Sequence, residues 1–270
     1  ASMELAGGAF NWTSGTLHLG SDLFVDPSGL LGGAVAVGAG KGLLVEGDFY
    51  VGGAGNGSLD ITDGGGVISG KFSLNESFIG FGIGTTGEVT VTGGSEWESH
   101  RLTVGDRGNG SLEIGNGQVL ANQILIGFGP GSTGVVTVDG PTSRILTGNP
   151  PFGSSELVVG GLGSGTLEIR NGGDVDALFG NDGVVRINSS GSLIVDGPGS
   201  HCSARDLVVD GIVTITGGGS VGCTYSNVGG VAPGSVSITN AGEFVAAEFD
   251  IGSSNGPAGS VSVEGAGSAV

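Results

Sequence analysis

The side chains that could do chemistry in this sequence are mainly carboxylates, since 26 Asp and Glu residues stand against 8 Lys and Arg. Asp174, Asp176 and Asp182 lie close together in the glycine-rich stretch NGGDVDALFGNDG. Calcium takes oxygen ligands of this kind, often from loops. However, the nonapeptide period of calcium-binding repeats is missing, and Asp and Asn also stabilise ordinary turns by bonding nearby amides. We therefore expect turns here, with calcium as the alternative and no other cofactor.

Three further carboxylates recur in near-identical strings: Asp60 in GNGSLDI, Glu113 in GNGSLEI and Glu168 in GSGTLEI. If these strings form every second rung of a parallel stack, successive carboxylates lie roughly 9.6 Å apart at ~4.8 Å per rung. That separation is at the far edge of the about 6.5–9.5 Å expected of an inverting glycosidase pair. The Arg and Lys that enzymes on β-helix scaffolds usually need are also scarce. We therefore predict that the protein is not an enzyme, and that these acids only decorate the surface.

The strings belong to an internal repetition that runs through most of the chain, and such repetition indicates a stacked architecture. A second class of strings, TTGEVTV, STGVVTV and PAGSVSV, recurs in the same way. The last residues of the predicted strands are Ile61, Val91, Ile114, Val138, Ile169, Val195, Ile215, Ile238 and Val263. Their mean spacing is about 25 residues, which is typical of a solenoid unit.

Each unit is predicted to contain short strands, because Gly, Asn, Asp and Ser punctuate the chain while β-branched residues fill the spaces. In Glu156 to Ala177, the segments ELVVG, GTLEI and GDVDA have the pattern of three strands. Alternate residues of a strand share a face, so pairs such as Leu59 and Ile61 should face inward and stack as aliphatic ladders. The predicted fold class is all-β: a right-handed parallel β-helix, or β-solenoid, with roughly three short strands per coil and about ten coils.

The start of the chain differs from the rest. The first forty or so residues match the repeat poorly, so we assign 1–40 to an N-terminal cap or divergent first coils, and 41–270 to the β-solenoid repeats. The sequence opens with ASMELAGG rather than with a basic segment. We therefore expect that a signal peptide has been removed.

Two cysteines, Cys202 and Cys223, are separated by a stretch of chain close to the length of one coil. Corresponding positions on adjacent rungs lie ~4.8 Å apart, inside the about 4.4–6.8 Å Cα separation of disulfides. A pair of cysteines in an exported chain favours an oxidising compartment. We predict a disulfide between them, with two separate buried thiols as the alternative.

The repeats are similar to those of a known class of exported bacterial proteins. The order L-x-V-G, G-x-G-S-L-x-I, G-G-x-V, then I-G and T-G-x-V-T-V resembles the repeats of autotransporter passengers and PEP-CTERM-associated proteins. The match is best over Val51 to Leu146, for example in LTVGDRGNGSLEIGNGQV. The resemblance implies export, a parallel β-helix and an extracellular or cell-surface location, and it transfers no catalytic residue.

Charge and hydropathy limit the partners that we expect. A net charge of −18 disfavours nucleic acid and anionic membrane surfaces, because both would be repelled. No apolar run approaches the roughly 20 residues that a membrane-spanning helix needs, so we expect no direct membrane insertion.

The last prediction from sequence concerns contacts between copies of the chain. The residue before each inward Val or Ile of the first strand must face outward, and this column includes Tyr50, Phe78, Leu125, Val158 and Val208. An exposed apolar stripe marks an interface, unless the N-terminal segment covers it. A second route is head-to-tail stacking through unpaired strand edges, which generates filaments.

These features predict a secreted, non-enzymatic structural or adhesive protein that assembles with itself into a surface filament or matrix. A β-helix polysaccharide lyase or hydrolase is the enzymatic alternative. A module that binds surface glycans is the third interpretation, and the sequence does not separate it from the first.

Overall fold

The structure, a computed structural model, describes residues 12–70, 75–148, 155–177, 183–252 and 257–270. Within these ranges the chain is all-β and contains no helix. All the strand pairings are parallel, and they form two sheets. One sheet has 15 strands and is called sheet A. The other has 10 strands and is called sheet B.

In chain order, the strands are β1 (Gly15–Leu19), β2 (Leu23–Val25), β3 (Ala34–Val37), β4 (Lys41–Val45), β5 (Phe49–Val51), β6 (Gly57–Ile61), β7 (Gly66–Ser69), β8 (Glu76–Ile79), β9 (Thr86–Thr92), β10 (Glu96–Val104), β11 (Asn109–Gly115), β12 (Gln118–Ile126), β13 (Thr133–Asp139), β14 (Arg144–Thr147), β15 (Glu156–Val159), β16 (Ser164–Arg170), β17 (Asp174–Asp176), β18 (Val184–Ile187), β19 (Gly191–Asp196), β20 (His201–Val209), β21 (Ile212–Thr216), β22 (Ser220–Val228), β23 (Ser235–Thr239), β24 (Glu243–Ile251) and β25 (Ser260–Glu264).

The chain alternates between the two sheets, because each passage through sheet A is followed by one strand of sheet B. The ten strands of sheet B, β3 to β25, pair in the order in which the chain makes them. The residues predicted to end these strands share one column, from Ile61 paired with Val91 to Ile238 paired with Val263. The predicted repeat and its register are therefore confirmed for sheet B.

Sheet A is made either of two short strands per unit or of one nine-residue strand. The long strands are β10, β12, β20, β22 and β24. The strand β12 pairs with β14 through its first half and with β15 through its second, and β20 pairs with β17 and β18 in the same way. The pairings β12–β14–β17–β20–β18–β15 consequently close into a ring of six strands.

The interior consists of aliphatic ladders from both sheets. In sheet B the predicted inward pairs are buried, from Leu59 and Ile61 through Val236 and Ile238. The final pair departs from the prediction, since Val263 is 45% exposed and Val261 is only partly buried. These two residues lie on β25, which has a paired strand on only one side within the described residues.

Between the two halves of sheet A, the chain turns a corner that is lined by buried hydroxyl groups. Ser77 Oγ lies 2.7 Å from Ser69 Oγ and 2.9 Å from Ser99 Oγ, and the Trp97 indole donates to Ser69 Oγ at 2.9 Å. In β10 the alternation of buried residues changes phase just after Ser99, and the pairing with β12 skips one residue there. The hydroxyls bond one another, so the corner stays satisfied without water.

Glycines allow the backbones of successive units to approach closely where sheet B begins. A Cβ at Gly134 would lie 2.1 Å from the Val104 carbonyl oxygen, and one at Gly110 would lie 2.3 Å from that of Ile79. Real Cβ atoms do not come so near to an oxygen, and both contacts are with backbone, which cannot swing aside. Only glycine fits this repeated position.

The turn that follows each sheet B strand often needs two consecutive residues with positive φ. Asp63 with Gly64 and Asn171 with Gly172 supply such pairs. In the turn after β23 the second place is taken by Ala241, with φ of 65°. This conformation costs an L-residue with a Cβ about 1–2 kcal/mol.

We predict that Gly134→Ala will lower the free energy of unfolding by about 2–3 kcal/mol, because the new methyl group must displace the Val104 carbonyl. Gly66→Ala is the matched control, since its Cβ would meet nothing within 4 Å. It should be neutral or slightly stabilising. Urea denaturation followed by circular dichroism measures both, and equal effects of the two substitutions would contradict the assignment.

We predict the opposite sign for Ala241→Gly, which should raise the free energy of unfolding by about 1 kcal/mol. Relief of the left-handed strain exceeds the added flexibility of the unfolded chain. The same denaturation experiment measures the change. A loss of stability would show that the turn is not strained at Ala241.

Candidate functional site

The outer face of sheet A, along the second half of each passage, carries one continuous column of side chains. In register order the column is Phe24, Tyr50, Phe78, Thr103, Leu125, Val158, Arg186, Val208, Asn227 and Asp250. All five residues predicted to form an apolar stripe, Tyr50, Phe78, Leu125, Val158 and Val208, belong to it. Their role in self-association stays a prediction.

The amino-terminal part of this column is an aromatic stack. The rings of Phe24 and Tyr50 are stacked at 4.5 Å, and those of Tyr50 and Phe78 at 5.1 Å, each pair within 7° of parallel. The hydroxyl of Tyr50 donates to Asp48 Oδ2 at 3.1 Å. Burial, together with the charges of Asp48, Asp22 and Glu76, raises the pKa of Tyr50 to about 12. The stacked rings thus turn their faces to one another, and the phenol stays neutral.

The middle of the column is less exposed than a binding stripe requires. Thr103 and Leu125 are only 1% and 4% exposed, although both face away from the core ladders. The loop residue Phe81 packs edge-on against Tyr50 and Phe78, and the guanidinium of Arg107 lies 4.6 Å from the Phe81 ring centre. Side chains from the loops therefore pack onto this outer face, which the alternation rule alone does not reveal.

A second cation–aromatic contact lies one unit farther along. The guanidinium of Arg101 is 5.6 Å from the ring centre of Phe128, which is 40% exposed. Arg101 also forms an ion pair with Glu76 at 2.7 Å. This contact leaves one face of an aromatic ring accessible at the surface.

The carboxyl-terminal part of the outer face forms an open groove of about 240 Å³. Two columns of side chains line it: Val184, Asp206, Tyr225 and Glu248, and beside them Arg186, Val208, Asn227 and Asp250. The Tyr225 side chain is 41% exposed. The groove therefore combines one accessible aromatic ring with several oxygen acceptors.

The last unit of the described structure exposes apolar residues that are buried in other units. Ile251 is 51% exposed, whereas Val228, its neighbour in register, is completely buried. Val263 is 45% exposed beside the buried Ile238. Ala269 pairs with Glu243 at the start of β24, so within this last unit the rest of β24 and all of β25 lack a neighbour on their outer side among the described residues.

The predicted disulfide is wrong, because both cysteines are free thiols. Cys202 pairs in register with Val221, and Cys223 pairs with Ala204. Strand partners at this point are fewer residues apart in sequence than the two cysteines, so the cysteines are displaced by two positions along the strands. A strand spacing of ~4.8 Å combined with two rises of ~3.3 Å gives about 8 Å, beyond the reach of a disulfide.

The candidate calcium ligands are only partly brought together. Asp174 and Asp176 flank the buried Val175, and Asp174 accepts two hydrogen bonds from Arg144, at 3.0 and 3.1 Å. Asp182 lies outside the described residues. Among the residues that are described, no group of three or more His, Cys, Asp or Glu side chains could hold a metal ion. The pairing of Asp174 with Arg144 provides a structural role for that carboxylate.

The outward acids of sheet B lie where the repeat places them. Asp60, Thr90 and Glu113 are neighbours in register, and Glu168 follows two strands later. Thr90 donates a hydrogen bond to Asp60 at 2.7 Å, and Arg170 contacts Glu168 at 3.4 Å. These contacts give two of the acids a surface-structural role.

Several residues of the outer face were missed by the sequence reasoning. Phe24 lies in the stretch treated as divergent, and Phe81 and Phe128 lie in loops that follow an Ile-Gly pair. The recurrence of FIGFG and LIGFG is the signal that could have placed these two rings at equivalent positions. Tyr225 could have been placed by its register with Asp206, had the shorter local coil been recognised.

Comparison of the chain with protein-family models, with curated proteins and with solved structures found no match. Over the part of the chain that the structure covers, no helix has the length and apolarity needed to cross a membrane.

We predict that both thiols react with iodoacetamide when the protein is unfolded without reductant. In the folded protein Cys202 should react much more slowly than Cys223. Burial raises the pKa of Cys202 to about 12, and partial burial, with the charge of Asp206, raises that of Cys223 to about 11. Mass spectrometry of labelled peptides measures both rates. Unfolded protein that takes up no label would restore the disulfide.

Proposed function

We propose that the chain winds as a right-handed parallel β-helix of about ten coils. The regular alternation between sheet A and sheet B supports this, because each strand of sheet B is followed by a passage through sheet A before its parallel neighbour is made. Crossovers between parallel strands are right-handed in about 98% of cases. A third side of the β-helix is supported by the corner inside sheet A. At this corner β10 changes its alternation and its pairing after Ser99.

We further propose that the protein is a secreted, non-enzymatic structural or adhesive subunit that assembles with copies of itself. The observation that carries this proposal is that the second half of β24 and β25 expose apolar side chains and have no neighbouring strand on one side among the described residues. Ile251 and Val263 there occupy columns that are buried in the preceding units. One more rung would remove them from water and supply partners for the free strand edges.

A second copy of the chain offers a suitable rung. Among the described residues, its first-unit strands β2 and β3 have no neighbour on one side, and they run in the same direction as the strands they would meet. The inward Val35 and Val37 of β3 would continue the ladder of Val261 and Val263. A contact between two different ends does not close on itself, so it produces a filament.

The extracellular part of the proposal rests on the resemblance of the repeat strings to those of exported bacterial proteins. The net charge of −18 opposes association at low salt, because copies of the chain repel one another. Assembly by this route should strengthen as salt screens the repulsion.

We predict that Ile251→Asp will raise the protein concentration needed for assembly by at least about tenfold, because the interface would bury an unpaired carboxylate. Ile212→Asp is the matched control, since Ile212 is 54% exposed and lies on β21, which is paired with a strand on each side. It should assemble like the wild type.

Sedimentation velocity and electron microscopy over a range of concentration and salt measure the assembly. A wild-type protein that stays monomeric at high concentration would contradict the proposal. Particles that stop at dimers would rule out filaments, and loss of assembly in both variants would show that the end is not the interface.

A further inference from the structure

The groove on the outer face of the last units has the chemistry of a binding site. It shares β24 with the exposed end, but it is formed by outward side chains, whereas the assembly contact involves the strand edge and the inward ladder. The groove crosses four neighbouring strands, β18, β20, β22 and β24. Its volume of about 240 Å³ corresponds to roughly eight molecules of liquid water. It therefore offers room for one small ring-shaped ligand.

Most of the polar groups in the groove are acceptors without donors. Among the described residues, Asp206, Glu248 and Asp250 take part in no ion pair and no side-chain hydrogen bond. The one guanidinium in the lining, that of Arg186, is paired with Glu156 at 3.2 Å. A ligand for this groove must therefore bring hydrogen-bond donors.

Asn227 also lines the groove, but its amide oxygen is not accessible to a ligand. Its Oδ1 is buried and has no hydrogen-bond partner, which is uncommon for a polar atom in a folded protein. The close approach of Gly230 holds this side chain, since a Cβ there would lie 2.7 Å from Oδ1. Ser226 Oγ also lacks a partner, but Ser226 lies at a buried position that alternates with the outward Tyr225 and Asn227, so we leave it out of the site.

Tyr225 adds the apolar contact. Its ring is 41% exposed, and its neighbours in register are the carboxylates of Asp206 and Glu248. A sugar ring matches this arrangement, because it has a C–H face that can pack on an aromatic ring and hydroxyl groups around its rim that can donate hydrogen bonds.

We propose that this groove binds a neutral sugar. The ring of Tyr225 supports one face of the sugar, and the carboxylates of Asp206, Glu248 and Asp250 accept hydrogen bonds from its hydroxyl groups. A uronic acid is disfavoured, because its carboxylate would meet three others at short range. The site does not depend on end-to-end assembly.

Titration of the whole protein with neutral monosaccharides and disaccharides, followed by calorimetry and by saturation-transfer NMR, tests the proposal. The panel contains glucose, galactose, mannose and their disaccharides, with galacturonate and calcium chloride as separate probes. We expect saturable binding of at least one neutral sugar at one site per chain, and binding of galacturonate at least about tenfold weaker.

Tyr225→Ala should weaken the binding by about tenfold or more, whereas Tyr225→Phe, which keeps the ring, should retain it. Phe128→Ala is the matched control, because Phe128 is about equally exposed, follows a strand of the same sheet and does not line the groove. It should bind the sugar like the wild type. Thermal unfolding midpoints of the variants, compared with that of the wild type, show that each one folds.

Three results would overturn the proposal: no neutral sugar saturates, Tyr225→Ala binds as well as the wild type, or Phe128→Ala loses as much affinity as Tyr225→Ala. Calcium binding that Asp250→Asn abolishes, without sugar binding, would identify a cation site instead. Sedimentation velocity of Tyr225→Ala measures its self-association, which the substitution should leave unchanged. A loss of sugar binding is thereby distinguished from a loss of assembly.

Discussion

At the start of the sheet B strands, a glycine α-carbon lies directly against a carbonyl oxygen of an earlier unit, and the rest of the stack depends on this contact. The Cβ distances at Gly110 and Gly134 show that no side chain fits there. With this approach allowed, the strands pair in register and the aliphatic ladders come into contact. Much of the glycine content, 62 residues, is therefore a requirement of close backbone approach and of turns with positive φ.

Sheet B was predictable because each of its strands carries one inward pair of apolar residues and is flanked by similar turn residues. The strand ends from Ile61 to Val263 consequently fell into one column, although the spacing between them varies. Sheet A was harder, because the chain turns a corner within it and the alternation changes phase there. The disulfide prediction compared the spacing of Cys202 and Cys223 with an average repeat, and it failed because the repeat is shorter at this point.

The outer face shows a second limit of sequence reasoning. Alternation correctly assigned Leu125 to the outside, but it could not show that the residue is nearly buried there. On the same face the loop residue Phe81 packs against Tyr50 and Phe78, and alternation along a strand does not predict such a tertiary contact. The groove likewise forms where adjacent units carry different side chains at equivalent positions. The repeats predict which positions are neighbours in the stack. The side chains that differ between repeats determine the local chemistry at each position.

The parallel pairing of the strands has a mechanical consequence. In such a stack the backbone hydrogen bonds between units point along the direction in which the units follow one another. A pulling force applied between the first and last strands would load these bonds one unit after another, and each unit contacts only its neighbours. The stack would then lengthen in steps, beginning at the least stable unit. The turn at Ala241, where the backbone is already strained, marks one such place. A surface fibre built in this way would extend under a sudden load by local opening of one unit, and the unit could close again when the load is removed.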